Sequence, residues 1–584
     1  MLSEDVLSNV LYVDLTEKRH WVVKRTELFE KYLGGSGAAI QLLTEECSKG
    51  CDPLGPDNPI VFAVGPLTGL YPLASKTVAM FKSPHTGNLG ESHCGGRSAV
   101  AIRMAGYGAV VIKGASQIPL ILAIHGNQIY FRDASSIWGI QNSMTTGRII
   151  RENEPGSGLR TIMRIGGAGE QLVSYACVTT ETYRHFGRLG LGAVFGSKKL
   201  KGLVFSGKRS LPVINSKQYR EVYDDIYQRA VSSPLMKKYH DLGTAGNVKP
   251  LNIQGGLPTR NLQVAKFEGA EGISGETFAE HLLGRRLACT HCPVGCIHIA
   301  ALREPYIDEA YFYKTHMISY DYELIYALGS MVGISDAEGS LRLMEQVEIF
   351  GLDAMSTGVV LAWATEAQQK GLITEKETKG LKFEWGNHRT YVLAVQEIVK
   401  QPNDFYKALA RGVDYAAQKY GGADFALAFG GNEMPGYHTG AASYLGNLIG
   451  ARHSHLDNAG YSIDQKAVGQ ELMKPTELAN ALIDEEEWRQ ILSSLVVCFF
   501  ARGIYDPETV CRSLITSGFQ ITPEILQRMG RDILLAKQTF KRREGFEPKK
   551  LHLPKRIFET PSPGKPFNED YLRQGIAAAE KHWV

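Results

Sequence analysis

The sequence predicts an α+β protein in which a β-rich N-terminal base domain is followed by two mainly helical domains. Three observations carry this. Up to about residue 210, short runs of β-branched and apolar residues alternate with glycine-bearing turns; from Ser216 the apolar residues recur at helical spacing; and Gly421-Gly422 interrupts the helical part. The expected domains are therefore 1–210, 211–420 and 421–584. A chain of 584 residues has room for several cores, since a single core stops growing at about 250–300 residues.

In the base, strands are expected over 10–14, 60–64, 77–81, 109–113, 120–125, 172–178 and 202–205. Between them lie Gly34-Gly35-Ser-Gly37, Gly65-Pro-Leu-Thr-Gly69, Gly87-Asn-Leu-Gly90, Gly95-Gly96 and Gly166-Gly167-Ala-Gly169. Glycine turns let backbone approach a ligand closely, and five in one β-rich segment point to a large bound cofactor. Helices are expected over 218–238, 338–349 and 392–420, and the Pro- and Lys-rich stretch 546–566 reads as an extended wrap. No internal repeat or low-complexity tract interrupts the chain.

Lys and Arg number 64 against 61 Asp and Glu, a net charge of +3, too nearly balanced to argue for a nucleic-acid or acidic-membrane partner. Small ligands are the expected partners. Nine cysteines, three of them clustered, do not form the even framework of a secreted disulfide scaffold, so a reducing compartment is expected. The segment Met1-Leu-Ser-Glu-Asp carries acids where a signal peptide carries basic residues, and the longest apolar runs fall well short of the ~20 residues that span a bilayer. The expectation is a soluble, cytoplasmic protein without a membrane span.

The densest chemical signal is Cys289-Thr-His-Cys292-Pro-Val-Gly-Cys296. Thiolates are soft ligands, and a Cys-x₂-Cys-x₃-Cys loop can hold three corners of an iron–sulfur cubane. A zinc knuckle completed by His291 or His298 is the alternative at this spacing. The Cys-x₃-Cys-x₂-Cys run of radical SAM enzymes has the opposite order.

Further stretches in order along the chain are Tyr32-Leu-Gly-Gly-Ser-Gly-Ala-Ala, Gly65-Pro-Leu-Thr-Gly, Lys82-Ser-Pro-His-Thr-Gly, Ala105-Gly-Tyr-Gly-Ala-Val-Val-Ile, the run from Gly187-Arg-Leu-Gly-Leu-Gly to Lys201, the cysteine triplet, and Gly351-Leu-Asp-Ala-Met-Ser-Thr-Gly. Together they resemble the tungsten- and molybdenum-pterin aldehyde:ferredoxin oxidoreductase family over nearly the whole chain. The resemblance implies a base domain carrying two pyranopterin dithiolenes that chelate one tungsten or molybdenum, two covering helical domains, and one [4Fe–4S] cluster near a pterin. It also implies the fourth cluster ligand: Cys498, closing Ser493-Ser-Leu-Val-Val-Cys498, with Cys511 the competitor that spacing alone does not separate.

The family's Asp-x-x-Gly-Leu-Asp/Cys segments, which hold the pterins, stand here as Glu348-Ile-Phe-Gly-Leu-Asp353 and Ser493-Ser-Leu-Val-Val-Cys498. The first keeps its carboxylates; the second has lost its acid and its glycine. By resemblance Glu348, Asp353, Ser493 and Val497 contact pterin, although Glu348 and Asp353 near a Gly-Leu helix end also suit capping and surface roles. Lys76, with Arg184, Arg188 and Lys198 around the second glycine-rich turn, is the implied set of basic contacts to the pterin phosphates, backed by backbone N–H groups near Gly95 and Gly187. Isolated basic residues beside turns are otherwise solvated. A Mg²⁺ ion bridging the two phosphates is implied, its carbonyl ligands matching the region of Ser92-His93 and His185.

Oxidising an aldehyde to an acid consumes water and releases two electrons and two protons, so a proton carrier is needed. By resemblance it is Glu323 with His455; His453, two residues earlier, is the alternative, and on a helix only one of the two could face the site. Tyr437, His438 and Thr439 are candidates for shaping the substrate pocket. With no second cysteine cluster and no convincing dinucleotide fingerprint, the expected acceptor is ferredoxin or a small Fe–S subunit. The basic tail at Lys541-Arg-Arg and Lys549-Lys550 is one candidate docking face, or a solvated charge run. Homo- or hetero-oligomers are both compatible. The competing functions are a reductive relative, such as an aromatic acyl-CoA reductase subunit, and a non-catalytic Fe–S scaffold.

Overall fold

The computed structural model describes residues 4–181, 183–306 and 312–583, which form two compact units. The first comprises residues 4–237, 288–295 and 486–546; the second comprises 238–287, 296–485 and 547–583. Among the described residues no helix is long and apolar enough to cross a membrane.

Two six-stranded mixed sheets build the first unit. β1 (Asn9–Asp14), β2 (Arg19–Lys24), β3 (Ile60–Ala63), β4 (Thr77–Lys82), β5 (Leu89–Cys94) and β6 (Ala109–Lys113) are ordered β2-β1-β6-β3-β4-β5. β7 (Leu120–His125), β8 (Gln128–Asp133), β9 (Leu159–Arg164), β10 (Val178–Thr180), β11 (His185–Phe186) and β12 (Leu200–Gly207) are ordered β11-β10-β9-β12-β7-β8. β1 pairs parallel with β6 and β7 with β12; the other pairings are antiparallel. β3 and β4 are buried at every residue, which explains their unbroken apolar runs.

The expected strand over 172–178 is displaced, starting only at Val178. Leu172 takes a left-handed backbone (φ 56) after the short helix Gly167–Glu170, and the chain turns through Ala176 N–H donating to Val173. β5 was not legible as a strand because the acid Glu91 and the polar Ser92, on opposite faces, are both buried in place of an apolar alternation. Two of the glycine turns are helix starts, Gly34 before the helix Gly35–Glu46 and Gly166 before Gly167–Glu170.

In the second unit a three-stranded antiparallel sheet, β13 (Leu283–Leu287), β14 (Ile297–Pro305) and β15 (Tyr313–Tyr320), accompanies a helical body. The helix Ala337–Phe350 starts at Asp336, whose carboxylate accepts from Gly339 N–H at 2.6 Å, and stops at Gly351 with φ 73. Asp353 then caps the helix Ala354–Gln369. The helix expected over 392–420 is three helices, His388–Lys400, Asp404–Leu409 and Val413–Tyr420, because Pro402 cannot continue the first and Gly412 (φ 95) ends the turn before the third. The tail is a wrap within this unit: Arg556 donates to Glu366 and to the Asn261 carbonyl, Thr560 Oγ1 to the Leu262 carbonyl, and Leu551, Leu553 and Ile557 are buried. Lys541 is buried over the Phe546 ring and Arg543 clamps the carbonyls of Thr44 and Cys47, which leaves Arg542, Lys549 and Lys550 as the exposed part of the basic tail.

Candidate functional site

In the first unit, backbone hydrogen bonds bring the cysteine loop and the late cysteine together through Leu73. Its N–H donates to the His291 carbonyl at 3.0 Å, and its own carbonyl accepts from Cys498 N–H at 2.9 Å. Leu73 holds φ 66 to do this, and no side-chain chemistry in the sequence marks it. Lys76 N–H donates to the Val496 carbonyl, and Gly96 and Cys289 exchange contacts: Gly96 N–H reaches Cys289 Sγ at 3.1 Å while Thr290 N–H reaches the Gly96 carbonyl at 2.9 Å. A Cβ on Gly95 would lie 2.9 Å from Cys289 Sγ, so a larger residue at this strand end would displace that sulfur.

The sulfur of Cys289 interacts electrostatically with Cys498, Arg184 and Lys76. Burial pushes its thiol up, and the Arg184 charge, the Gly96 N–H and Lys76 oppose that rise. Cys511 lies in the helix Pro507–Thr516 with its thiol raised by burial and then by Glu524; neither influence involves a cysteine. Among the described residues, no three His, Cys, Asp or Glu side chains converge tightly enough for one metal ion, whereas a cubane spreads its thiolates over separate irons. Of the two histidines that could complete a zinc knuckle, His298 is engaged, its ring nitrogens facing the carbonyls of Cys296 and His240 at 3.2 and 3.0 Å, while His291 lies within the cysteine loop.

The basic and glycine positions around this loop fit an anionic cofactor. His185 sits on β11 with Nε2 enclosed and without a hydrogen-bond partner, and burial followed by the charges of Arg184 and Arg164 drives its value down to about 3. It is a neutral imidazole with an unused polar atom, a feature that asks for a ligand. Gly187 has open space where a Cβ would stand. Arg184 and Arg188 flank this pair in sequence. Lys198 is placed differently, its buried ammonium donating to the carbonyls of Pro56 and Gly114. Lys76 Nζ lies 5.2 Å from the centre of the Phe499 ring, and the buried Arg489 guanidinium lies 5.1 Å from it. Arg489 and Phe499 carried no signal of this in the sequence.

His93 turns its side chain into the protein. Its Nε2 meets Glu91 Oε1 at 2.7 Å, Ser36 Oγ donates to the same oxygen at 2.6 Å, and Lys537 Nζ pairs with Glu91 Oε2 at 2.6 Å. Its imidazole is engaged there, which is compatible with the implied carbonyl role. Ser493 and Val497 belong to the turn that ends the helix Pro475–Ser494, where Val497 N–H donates to the Leu492 carbonyl. The glycines of the first two turns serve this segment: a Cβ on Gly35 would fall 2.2 Å from the Ser493 carbonyl oxygen, and one on Gly65 2.7 Å from that of Leu495.

In the second unit, Glu323 lies in the first turn of the helix Tyr322–Ala327, capped by Asp321. His455 Nε2 stands 3.3 Å from Glu323 Oε1, and the Tyr437 hydroxyl donates to that same oxygen at 2.9 Å. Burial alone would raise the Glu323 value; the hydrogen bond and charge of His455 and the Tyr437 hydroxyl outweigh it, so the carboxyl is held below its ordinary range. The loop that delivers His455 is locked: Ser454 and Asp457 form a capping box for the helix His455–Asn458, and Arg452 Nε donates to Asp457 at 2.6 Å. His455 Nδ1 is enclosed and has no hydrogen-bond partner.

His453 is elsewhere, its Nδ1 on the Asn447 carbonyl at 2.9 Å and its ring against Gly430. Of the three pocket candidates, Tyr437 faces the pair and stacks on Tyr461 with centroids 4.4 Å apart. His438 bonds Tyr444 and the carbonyls of Thr560 and Pro561, with burial pushing it down to about 4, and Thr439 donates to Asp464. Tyr322 and Tyr326 hold the backbone leading to Tyr437 through the carbonyls of Gly436 and Met434. Glu348 accepts from Ser319 Oγ and Asp353 accepts from Ser356 Oγ at 2.6 Å; both acids are buried, so the surface role is excluded while the capping role of Asp353 is real. Cys296 directly precedes β14 and belongs to this unit.

The family model for the aldehyde ferredoxin oxidoreductase N-terminal domain matches residues 10–207, and that for domains 2 and 3 matches residues 221–579. The tungsten-containing aldehyde ferredoxin oxidoreductase of Thermococcus kodakarensis is 33% identical over 565 residues, 94% of this chain and 90% of that protein. The WOR-like subunit of an aliphatic sulfonate oxidoreductase from Pyrococcus furiosus is 31% identical over 433 residues, 70% of this chain and 66% of that one. The active site complex BamBC of benzoyl coenzyme A reductase shares the fold, with a TM-score of 0.82 at 20% identity over 98% of this chain and 94% of that one. Family models covering nearly the whole length and relatives at this identity make the chain a member of the aldehyde ferredoxin oxidoreductase family of oxidoreductases.

Proposed function

We propose that this chain oxidises aldehydes to carboxylic acids at a bis-pyranopterin tungsten centre and passes the electrons through one [4Fe–4S] cluster to ferredoxin or a small Fe–S subunit in the cytoplasm. The observation that carries the reading is the enclosed Glu323–His455 pair, with Tyr437 fixing the carboxylate. Cys289, Cys292, Cys296 and Cys498 are the proposed cluster ligands. Lys76, Arg184 and Arg188 are proposed on the pterin phosphates, with Gly95, Gly187, Glu348, Asp353, Ser493 and Val497 along the pterins and the backbone at His93 and His185 on Mg²⁺. A base domain to about residue 210 is proposed in keeping with the N-terminal family model, which ends at 207, and a further boundary near 421 is proposed within the stretch matched by the two-domain model.

The reaction RCHO + H₂O → RCOOH + 2 e⁻ + 2 H⁺ leaves the protein two protons to manage. When bound, the metal centre supplies the two-electron oxidation. Glu323, held ionised, is an acceptor only, so His455 presents N–H at Nε2 to it. In a neutral imidazole that leaves the unpartnered Nδ1 as a bare acceptor, and a proton taken there yields an imidazolium that the Glu323 carboxylate stabilises. Tyr437 keeps the carboxylate from turning away.

Anaerobically purified protein should contain one tungsten and about four irons per chain and reduce a viologen with short or aromatic aldehydes. Iron without tungsten or molybdenum would leave the scaffold function; metal-loaded protein inert to aldehydes but reducing an aromatic acyl-CoA thioester would leave the reductive one.

A further inference from the structure

Two cysteines that the cluster does not use lie against each other at the far end of the helix Gly35–Glu46. Cys47 caps that helix and is 3% exposed, Cys51 is half-buried, and their sulfurs are 3.4 Å apart. Gly50 makes the return possible: it takes φ 73 with nothing within 4 Å of where a Cβ would sit. The turn is held from outside by Arg543 donating to the Cys47 carbonyl at 3.0 Å, Lys82 Nζ donating to the Cys51 carbonyl at 2.8 Å, and Gly50 N–H donating to Glu544 at 3.0 Å. Backbone held at three points on both sides of the pair fixes the separation of the two side chains, and side-chain rotation alone must close 3.4 Å to the ~2.0 Å of a sulfur–sulfur bond.

We propose that Cys47 and Cys51 form a reversible dithiol–disulfide site that exchanges two electrons with small-molecule disulfides, independently of the cluster cysteines. Cys51, the more exposed, attacks one sulfur of R–S–S–R as a thiolate, forming a mixed disulfide and expelling RS⁻. Cys47 then attacks the Cys51 sulfur of the mixed disulfide and expels the second RS⁻. The two protons lost by the cysteines end on the two released thiols, so one R–S–S–R and two protein thiols become one protein disulfide and two R–SH. Burial and then the hydrogen bond to Cys51 push the Cys47 thiol up to about 12, so Cys51 is the attacking thiol and the second step, from Cys47, is the slower one.

The test uses the full chain, anaerobic, incubated with oxidised glutathione, quenched with acid, alkylated under denaturing conditions and digested with trypsin. Trypsin cuts after Lys49, between the two cysteines, so an oxidised pair appears as two peptides joined by one bond and a reduced pair as two separate alkylated peptides. The expected result is the joined species, returned to separate peptides by dithiothreitol, with Cys177 and Cys511 fully alkylated throughout. Cys47→Ser should accumulate a stable glutathione adduct on Cys51, and Cys51→Ser should form at least tenfold less adduct on Cys47 in the same time. Separate, fully alkylated peptides in the treated wild-type chain would overturn the proposal, as would zinc that co-purifies with the pair and is lost in either variant.

Discussion

Val496 holds, in its own helix-ending turn, the backbone position that Gly351 holds in another, with φ 54 against 73. Two hydrogen bonds recur in both: Gly351 N–H and Val496 N–H donate three residues back, to Glu348 and Ser493, and Leu352 and Val497 donate five back, to Val347 and Leu492; Gly351 N–H also reaches Val347. The second motif has lost its glycine and kept its geometry. A β-branched residue in the left-handed region carries about 1–2 kcal/mol of strain.

That strain is measurable by difference. Val496 and Val497 are each 1% exposed, so replacing either by glycine removes a comparable buried side chain. Val496→Gly also relieves the left-handed backbone, which Val497→Gly does not. In denaturant unfolding monitored by fluorescence, Val496→Gly should be the less destabilised by about 1–2 kcal/mol. Equal losses would show that the turn stores no strain.

The carboxyl of Glu323 has its folded value below its unfolded one, so its charge stabilises the protein above the ordinary value of 4.5 and that contribution is lost as pH falls through the lower folded value. Tyr437→Phe removes one hydrogen bond to the ionised acid, about 1.5–3 kcal/mol, or about one to two pH units. The acid limb of the aldehyde oxidation rate should therefore move up by that amount, with the alkaline limb unchanged. An unmoved acid limb would mean that a group other than Glu323 sets it.

His455→Asn should lower kcat by about 10²–10⁴-fold, since it removes the nitrogen with the unused lone pair, while metal content stays constant. His453→Asn should act on stability instead, because that imidazole bonds a backbone carbonyl and packs on Gly430. Thermal unfolding together with steady-state rates separates the two. The reverse pattern would exchange the roles of the two histidines.

How far such roles could be read ahead depends on what carries them. The apolar strands β3, β4, β6 and β7 were visible because burial on both faces leaves continuous β-branched runs, and the Gly351-Leu352-Asp353 helix stop and start was visible because caps have their own residue preferences. β5 was hidden, since its buried Glu91 is neutralised by Lys537 from a helix more than four hundred residues later. Leu73 could not be seen at all, because its contribution is two backbone groups and a left-handed φ. The choice of His455 over His453 came from resemblance; the geometric reason, a capping box that turns one imidazole toward Glu323, needs the fold.

Glycines of the N-terminal base divide into those that seat the chain and those that leave room. Gly35→Ala places a methyl group 2.2 Å from the Ser493 carbonyl at φ 37, so it should cost several kcal/mol or abolish soluble expression. Gly187→Ala meets open space in the protein, so unfolding should change by about 1 kcal/mol or less while pterin retention falls. Pterin release measured by fluorescence after denaturation, beside Tm, checks both. Full pterin content in Gly187→Ala would remove that residue from the cofactor site.

The fourth cluster ligand is decided by iron retention. Cys498 N–H is tied to Leu73, which is tied to the Cys289 loop, and its sulfur interacts with that of Cys289; Cys511 sits inside a helix with Glu524 as the neighbour acting on its thiol. Cys498→Ser should therefore lose most of its about four irons and the low-temperature EPR signal of the reduced cluster, while Cys511→Ser keeps both. Since Leu73 spans the two segments by backbone bonds, the fold should survive in Cys498→Ser, and circular dichroism would show near-native helix content with a lowered Tm. Retention of iron in Cys498→Ser with loss in Cys511→Ser would reverse the assignment.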